Sequence, residues 1–258
     1  MTTLKITIIT VCYNSLETIR ETLSSIAAQT YQNFEHLVID GASTDGTTEL
    51  LQSWTAHPIH LISEPDTGIY DAMNKGLSRA TGDVIGFLNS DDIYASDSVL
   101  AQIAAAFSEG IEACYADLLY VRKKNGRVLR YWSSRAFQLG AFSRGYSPPH
   151  PTFYVKREVV QRLGGFDQRY QIAADTEWMM RYLEKGTIQS RYVPHVWVRM
   201  RLGGKSNQSV KSIILQNQEV WQALKRNQLD FSVSLFVMIK CINRLRQVVR
   251  GLLYQPAL

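Results

Sequence analysis

The chain predicts an α/β fold: a doubly wound, mostly parallel sheet, then a smaller mixed region and C-terminal helices. Two observations lead there. Short apolar, β-branched runs alternate with stretches of helical periodicity through the N-terminal half. Polar and acidic residues stand at the carboxyl ends of those runs, where ligands bind in open parallel sheets. At 258 residues with 45% hydrophobic side chains, the chain can bury a sizeable core.

Taken in order, Ile6 to Val11 is β-branched and apolar and reads as a central strand. Leu16, Ile19, Leu23 and Ile26 then repeat at helical spacing, and Asn14 with Glu17 resembles a capping box opening that helix. A second strand is expected over His36 to Ile39, ending at Asp40. A turn at 41–47 leads to a helix holding Leu50, Leu51 and Trp54. A third strand falls near Ile59 to Ile62, and Ile69 to Ala80 reads as helix. Val84 to Leu88 is a buried strand, and Ser96 to Phe107 returns to helix. Right-handed crossovers follow from this rhythm.

Later, Cys114 to Val121 and Arg127 to Trp132 flank Asn125-Gly126, a hairpin signal. The proline-rich segment 147–151 cannot hold a sheet ladder. Glu158 to Leu163 is a short helix stopped by glycines, Asp175 to Lys185 a second, and Val193 to Met200 a strand; 201–206 reads as a flexible basic loop. Leu235, Met238, Ile242, Leu245, Val249 and Leu252 form one apolar stripe, with Lys240 and Arg244 opposite and Arg246 and Arg250 at its flanks. Two readings stay open for this tail: a helix packed on the domain or on a second subunit of a homodimer, or one lying on an anionic membrane surface.

A net charge of +5 alone does not choose among anionic partners. Three scattered cysteines show neither metal spacing nor a disulfide framework, and no basic-then-apolar leader opens the chain. No eighteen apolar residues run together. A cytoplasmic protein, peripheral on the inner face of the cell membrane if the tail binds lipid, is the expectation; nucleic acid is not an expected partner.

The centre of the chain is 82–92, where a strand runs into Asn89-Ser90-Asp91-Asp92. Paired carboxylates on a stiff turn suit a hard divalent cation, and such a cation gathers diphosphate oxygens. The plainer alternative is that Asp91 caps the next helix. With Tyr13, Asn14, Asp40 and Asp66, carboxylates from three successive strand units meet at one rim, which favours the functional reading.

These residues resemble family-2 inverting glycosyltransferases of the GT-A fold, of the bacterial surface-polysaccharide type, over roughly Ile6 to Ser206. The similarity is carried by the segments 8–14, 39–47, 64–76, 88–92, 163–167 and 173–178 in that order. It implies a catalytic domain at 1–206, with a nucleotide-sugar half at 1–110 and an acceptor half at 111–206. A helical, basic amphipathic tail follows at 207–258. Thr10, Tyr13, Asn14, Asp40, Asp66, Lys75, Asn89 and Ser90 would contact the donor. Asp91 and Asp92 would hold Mg²⁺ or Mn²⁺, and Asp175 would be the general base. The sequence departs from the family pattern at Asn89 and Ala174, both commonly acidic. These departures lend some support to an inactive nucleotide-sugar-binding or scaffold subunit. The resemblance favours a UDP-sugar donor and a glycan or polyprenyl-diphosphate-linked acceptor.

His150, His195, Arg199, Arg201 and Lys205 stay open between site contacts and ordinary packing or solvated positions, while Trp178 reads as core. A sugar-phosphate nucleotidyltransferase would need a glycine-rich basic loop where Tyr13-Asn14-Ser15 stands, and a dinucleotide oxidoreductase would need Gly-x-Gly-x-x-Gly.

Overall fold

A computed structural model describes residues 3–123, 125–201 and 210–254. The loop at 202–206 and Lys205 lie outside the described residues. The elements run β1 (Ile6–Cys12), α1 (Ile19–Ala27), β2 (Phe34–Asp40), α2 (Thr47–Gln52), β3 (His60–Ser63), α3 (Ile69–Arg79) and β4 (Val84–Phe87). Then come β5 (Ile93–Tyr94), α4 (Val99–Ala106), β6 (Ala113–Val121), β7 (Val128–Trp132), β8 (Tyr154–Lys156), α5 (Arg157–Leu163) and α6 (Ala174–Met180). The described chain closes with β9 (Ser190–Arg201), α7 (Val210–Arg226) and α8 (Val233–Leu253).

One mixed sheet carries them in the order β3-β2-β1-β4-β8-β6-β9-β5, with β7 paired to β6. The first four strands in that order are parallel, as the βα rhythm requires. Pairing turns antiparallel at β4–β8, where the parallel N-terminal part meets the mixed part of the sheet. Every residue of β1 and β4 is buried, which explains their unbroken apolar character. The hairpin signal holds, since β6 and β7 pair antiparallel.

The core beneath the mixed part of the sheet is aromatic. Trp178 is fully buried, as its core reading required, and stacks on Phe166 at 4.8 Å between ring centroids. Phe87 and His150 approach it edge-on. Removing a side chain of that size from such a site costs about 3–5 kcal/mol.

One expectation needs correction, and two gain detail. The capping box does not form: Thr18 precedes α1 without a side-chain cap. Instead Asn14, at φ 50°, accepts from the Thr44 N–H, and Glu17 pairs with Lys123. The helix expected over Asp175 to Lys185 is present, α-helical to Met180 and π-helical over Arg181–Lys185, closed by a bond from the Gly186 N–H to the Arg181 carbonyl. The tail stripe does not pack on the domain. Phe236 and Gly251 are the buried members of α8, whereas Met238, Leu245 and Leu252 are 53%, 65% and 63% exposed. Among the described residues no helix is long and apolar enough to cross a membrane.

Candidate active site

The rim is built where β1, β2, β3 and β4 end. Parallel register sets Cys12 beside Asp40 and Asp40 beside Ser63, so the loops after these strands start at one level. Asn14 locks the first loop to the second: its N–H donates to Ser43 Oγ at 2.8 Å and its Oδ1 accepts from the Thr44 N–H at 2.9 Å. Ser15 and Ser90 hydroxyls meet at 2.9 Å, joining the β1 loop to the acidic turn. Tyr13 is left 64% exposed above the rim. Asp66 accepts from the Gly68 N–H, and a Cβ at Gly41 would lie 2.5 Å from Asp66 Oδ2 and 3.3 Å from the Tyr13 ring. Only glycine fits there, so Tyr13, Gly41 and Asp66 stand close together at the rim.

Two predicted contact residues lie beneath this surface. Thr10 is fully buried, donating to the Leu88 carbonyl and meeting His36 Nε2. Asp40 is fully buried as well, accepting from Ser43, Thr48, Ser63 and the Ser43 N–H. Burial pushes its carboxyl up, but these donors outweigh it and hold the group below the usual carboxylate range. Both side chains support the rim from below. Lys75 is also engaged, donating to the Pro65 carbonyl at 2.7 Å and pairing with Glu64 at 3.1 Å, which braces the loop carrying Asp66.

The acidic turn follows β4. Asp92 is fully buried, and neither of its carboxylate oxygens has a hydrogen bond of good geometry, although the Arg201 N–H and the Asn89 side chain lie near enough to favour its charged form; Asn89 Oδ1 is likewise buried and unpartnered. Burial, reinforced by the Asp91 charge, pushes the Asp92 carboxyl well above its ordinary range. Burial raises Asp91 too, offset in part by Arg201 and Lys123. Orphaned oxygens of this hard type fit a divalent cation. Among the described residues no group of three His, Cys, Asp or Glu side chains assembles. A cation here would therefore draw the rest of its shell from water or a bound phosphate, as Mg²⁺ commonly does.

Asp175, on the first turn of α6, accepts from the Thr176 N–H at 2.7 Å and stands 3.5 Å from the Tyr70 hydroxyl. It lines a cavity of about 460 Å³ together with Asn89, His150, Tyr120, Arg130 and residues of α8. Tyr120 registers the convergence. Burial pushes its phenol up, Arg244 pulls it down, and both Asp92 and Asp175 push it up again.

His150 is buried with its ring packed on Phe87, Phe166 and Trp178, and it lines this cavity with Nε2 unpartnered. Arg201 pairs with Glu21. His195 and Arg199 are exposed on β9 and do not line the cavity. No sequence motif singles out Tyr70, Tyr120, Arg130 or Glu219, whose carboxylate accepts from the N–H groups of Gln171, Ile172 and Ala173 just before α6. Tyr70 lies inside the quoted 64–76 segment and was the one within reach; the others are placed by long-range contacts.

A family model described as glycosyl transferase family 2 matches residues 7–164. An uncharacterised glycosyltransferase of Mycobacterium tuberculosis is 31% identical over 192 residues, 68% of each chain. A PGL/p-HBAD biosynthesis glycosyltransferase of Mycobacterium bovis is 31% identical over 201 residues, 75% of this chain and 76% of the relative. Among solved structures, the mannosyltransferase PcManGT of Pyrobaculum calidifontis, in complex with GDP-Man and Mn²⁺, has a TM-score of 0.66 at 21% identity, covering 98% of this chain and 75% of that one. Staphylococcus aureus TarS in complex with UDP-GlcNAc has a TM-score of 0.65 at 18% identity, covering 93% and 71%. The architecture is the GT-A fold, and the chain belongs to glycosyl transferase family 2.

Proposed function

We propose that this glycosyltransferase moves a sugar from a nucleotide-sugar donor, a UDP-sugar by family preference, to a hydroxyl of a glycan or lipid-linked oligosaccharide in surface-polysaccharide assembly, with inversion. One observation carries this reading: Asn89 of the acidic turn and the carboxylate of Asp175 line the same cavity. In-line displacement needs a base and a leaving-group site that share one space, and a common cavity is consistent with that.

Tyr13, Gly41 and Asp66 would receive the nucleoside, with Asn14 and Lys75 holding their loops in place. Asn89, Ser90, Asp91 and Asp92 would face the diphosphate. A divalent cation held by Asp91 and Asp92, Mg²⁺ or Mn²⁺, neutralises charge on a leaving diphosphate when bound. The acceptor oxygen forms a bond to the anomeric carbon as the bond from that carbon to the β-phosphate oxygen breaks. The electron pair leaves with the nucleoside diphosphate, and Asp175 takes the hydroxyl proton. A general base of this kind contributes about 10²–10⁴-fold. The solved neighbours carrying UDP-GlcNAc, or GDP-Man with Mn²⁺, support donor and cation of these classes.

The outward stripe of α8 supports peripheral docking on an anionic lipid surface. Arg246 and Arg250 are exposed at the flanks of its apolar stripe, and the helix carries no Asp or Glu.

A thermal-shift screen of nucleotide sugars with and without Mn²⁺ tests the central claim, because a ligand selective for the folded state raises Tm by mass action. A Mn²⁺-dependent rise with one nucleotide class is expected. No response to any nucleotide sugar would overturn it.

A further inference from the structure

The outer part of the cavity has a marked charge imbalance. Arg130, Arg135, Lys240, Arg244, Arg246 and Arg250 line it, and among the described residues Asp175 is the one carboxylate in its walls. Exposed arginines on a helix are ordinarily solvated and by themselves indicate nothing. Arg130 is different. It is 6% exposed, its guanidinium lies 3.5 Å from the Tyr120 ring centroid and 5.3 Å from that of Trp132, and Nε has no hydrogen-bond partner. No carboxylate pairs with it among the described residues. Ring faces recover part of the lost hydration, but a buried guanidinium without a counter-ion is costly to keep.

Its position is fixed from outside. The end of α8 crosses β7 so closely that a Cβ at Gly251 would lie 2.7 Å from the Arg130 backbone. Lys240 is also held inward, donating to Asn217 Oδ1 at 2.6 Å, and burial depresses its ammonium pKa. β7 and α8 thus form a cationic wall around the space in front of Asp175. Tyr13, Asp66 and Asp91 do not line this cavity, so the wall lies apart from the proposed nucleoside slot.

We propose that this wall is the acceptor subsite, and that it takes an acceptor bearing a phosphate or diphosphate group, docked on Arg130 with Arg244 while the acceptor hydroxyl faces Asp175. A single carboxylate would meet one guanidinium. A phosphoryl group offers several charged oxygens to several arginines at once, in the forked geometry arginine prefers. This inference rests on the glycosyl-transfer reading for the role of the ligand, not for its binding.

The test is titration calorimetry of the full chain with inorganic pyrophosphate in the presence of a chelator. Wild type should bind. Arg130→Gln should lower affinity roughly tenfold and Arg244→Ala roughly threefold, as expected for losing a charge-assisted contact. Asp91→Ala should not weaken it. Arg244 is exposed, so its variant decides the matter if Arg130→Gln fails to fold. Absence of pyrophosphate binding, or equal losses of Mg²⁺·UDP affinity in both arginine variants, would overturn the proposal. A second arm compares farnesyl diphosphate with pyrophosphate. Tighter binding of the prenyl compound identifies a lipid-linked acceptor, and equal binding a water-soluble phosphorylated one. If Mg²⁺·UDP fails to bind while pyrophosphate binds as described, the donor reading fails and the phosphoryl subsite stands.

Discussion

The Tyr70 hydroxyl lies 3.5 Å from Asp175 Oδ1 while donating at 2.6 Å to the Ile172 carbonyl. The strong bond is the one to the backbone, so Tyr70 chiefly fixes the turn that delivers Asp175 and leaves the carboxylate able to take a proton. Asp175→Asn preserves shape and the bond from the Thr176 N–H but removes basicity. Transfer should fall about 10²–10⁴-fold while donor affinity stays unchanged. Turnover within a few-fold of wild type, measured by nucleoside diphosphate release, would remove Asp175 as the base.

Glu219 on α7 holds the same turn from the other side. Its carboxylate accepts from the N–H groups of Gln171, Ile172 and Ala173 at 2.8–2.9 Å, and the residue is 5% exposed. Glu219→Ala strands three backbone donors, at a cost of about 3 kcal/mol. Urea denaturation should show that loss. At temperatures where the variant remains folded, kcat should drop with little change in donor KM.

The acidic turn supplies a third expectation. Asp91→Ala should abolish the part of nucleoside diphosphate affinity that depends on Mg²⁺ or Mn²⁺ and leave metal-free affinity in place. Calorimetry with UDP in metal and in chelator reads both quantities. An unchanged metal-dependent increment would locate the cation elsewhere.

Glu35 is a stability switch remote from the site. Burial pushes its carboxyl up, yet donation by Lys5, Thr7 and Thr81 overcomes this and lowers it from 4.5 to about 2. A depressed carboxylate stabilises the fold fully above its unfolded value and loses that contribution as pH falls from 4.5 towards 2. The difference corresponds to about 3 kcal/mol. Glu35→Gln should therefore cost stability at pH 7 and much less at pH 2.5, measured by chemical denaturation at both.

What was legible was local. The runs that became β1, β2 and β4 carry their strand character in consecutive β-branched residues, and their order forces Asp40, Asp66 and Asp91 towards one edge. Depth was not legible: Thr10 and Asp40 belong to the right strands, but pleat and neighbouring donors turn both inward. Asn14 and Glu17 have capping-box spacing, yet Asn14 finds a better partner in the adjacent loop at Thr44. Arg130 reads as an ordinary polar member of a hairpin, because its burial comes from α8, more than a hundred residues later. The tail stripe was plain, but its direction depends on which side Phe236 and Gly251 take, and two buried residues outvote a longer apolar row.

That direction leads to the last expectation. With Leu245 and Leu252 turned outward and basic side chains along the same helix, α8 suits a lipid surface bearing negative charge. Leu245→Asp with Leu252→Asp should leave thermal stability unchanged, since both side chains are more than half exposed. Co-sedimentation with phosphatidylglycerol vesicles should fall at least about tenfold, since two apolar anchors are lost and two like charges added. Binding to phosphatidylcholine vesicles should be weak throughout. If wild type ignores anionic vesicles but sediments as a dimer that the double variant dissociates, the stripe covers a second copy of this chain. Basic side chains would then border a protein interface, and delivery of a lipid-linked acceptor by this helix would lose its physical basis.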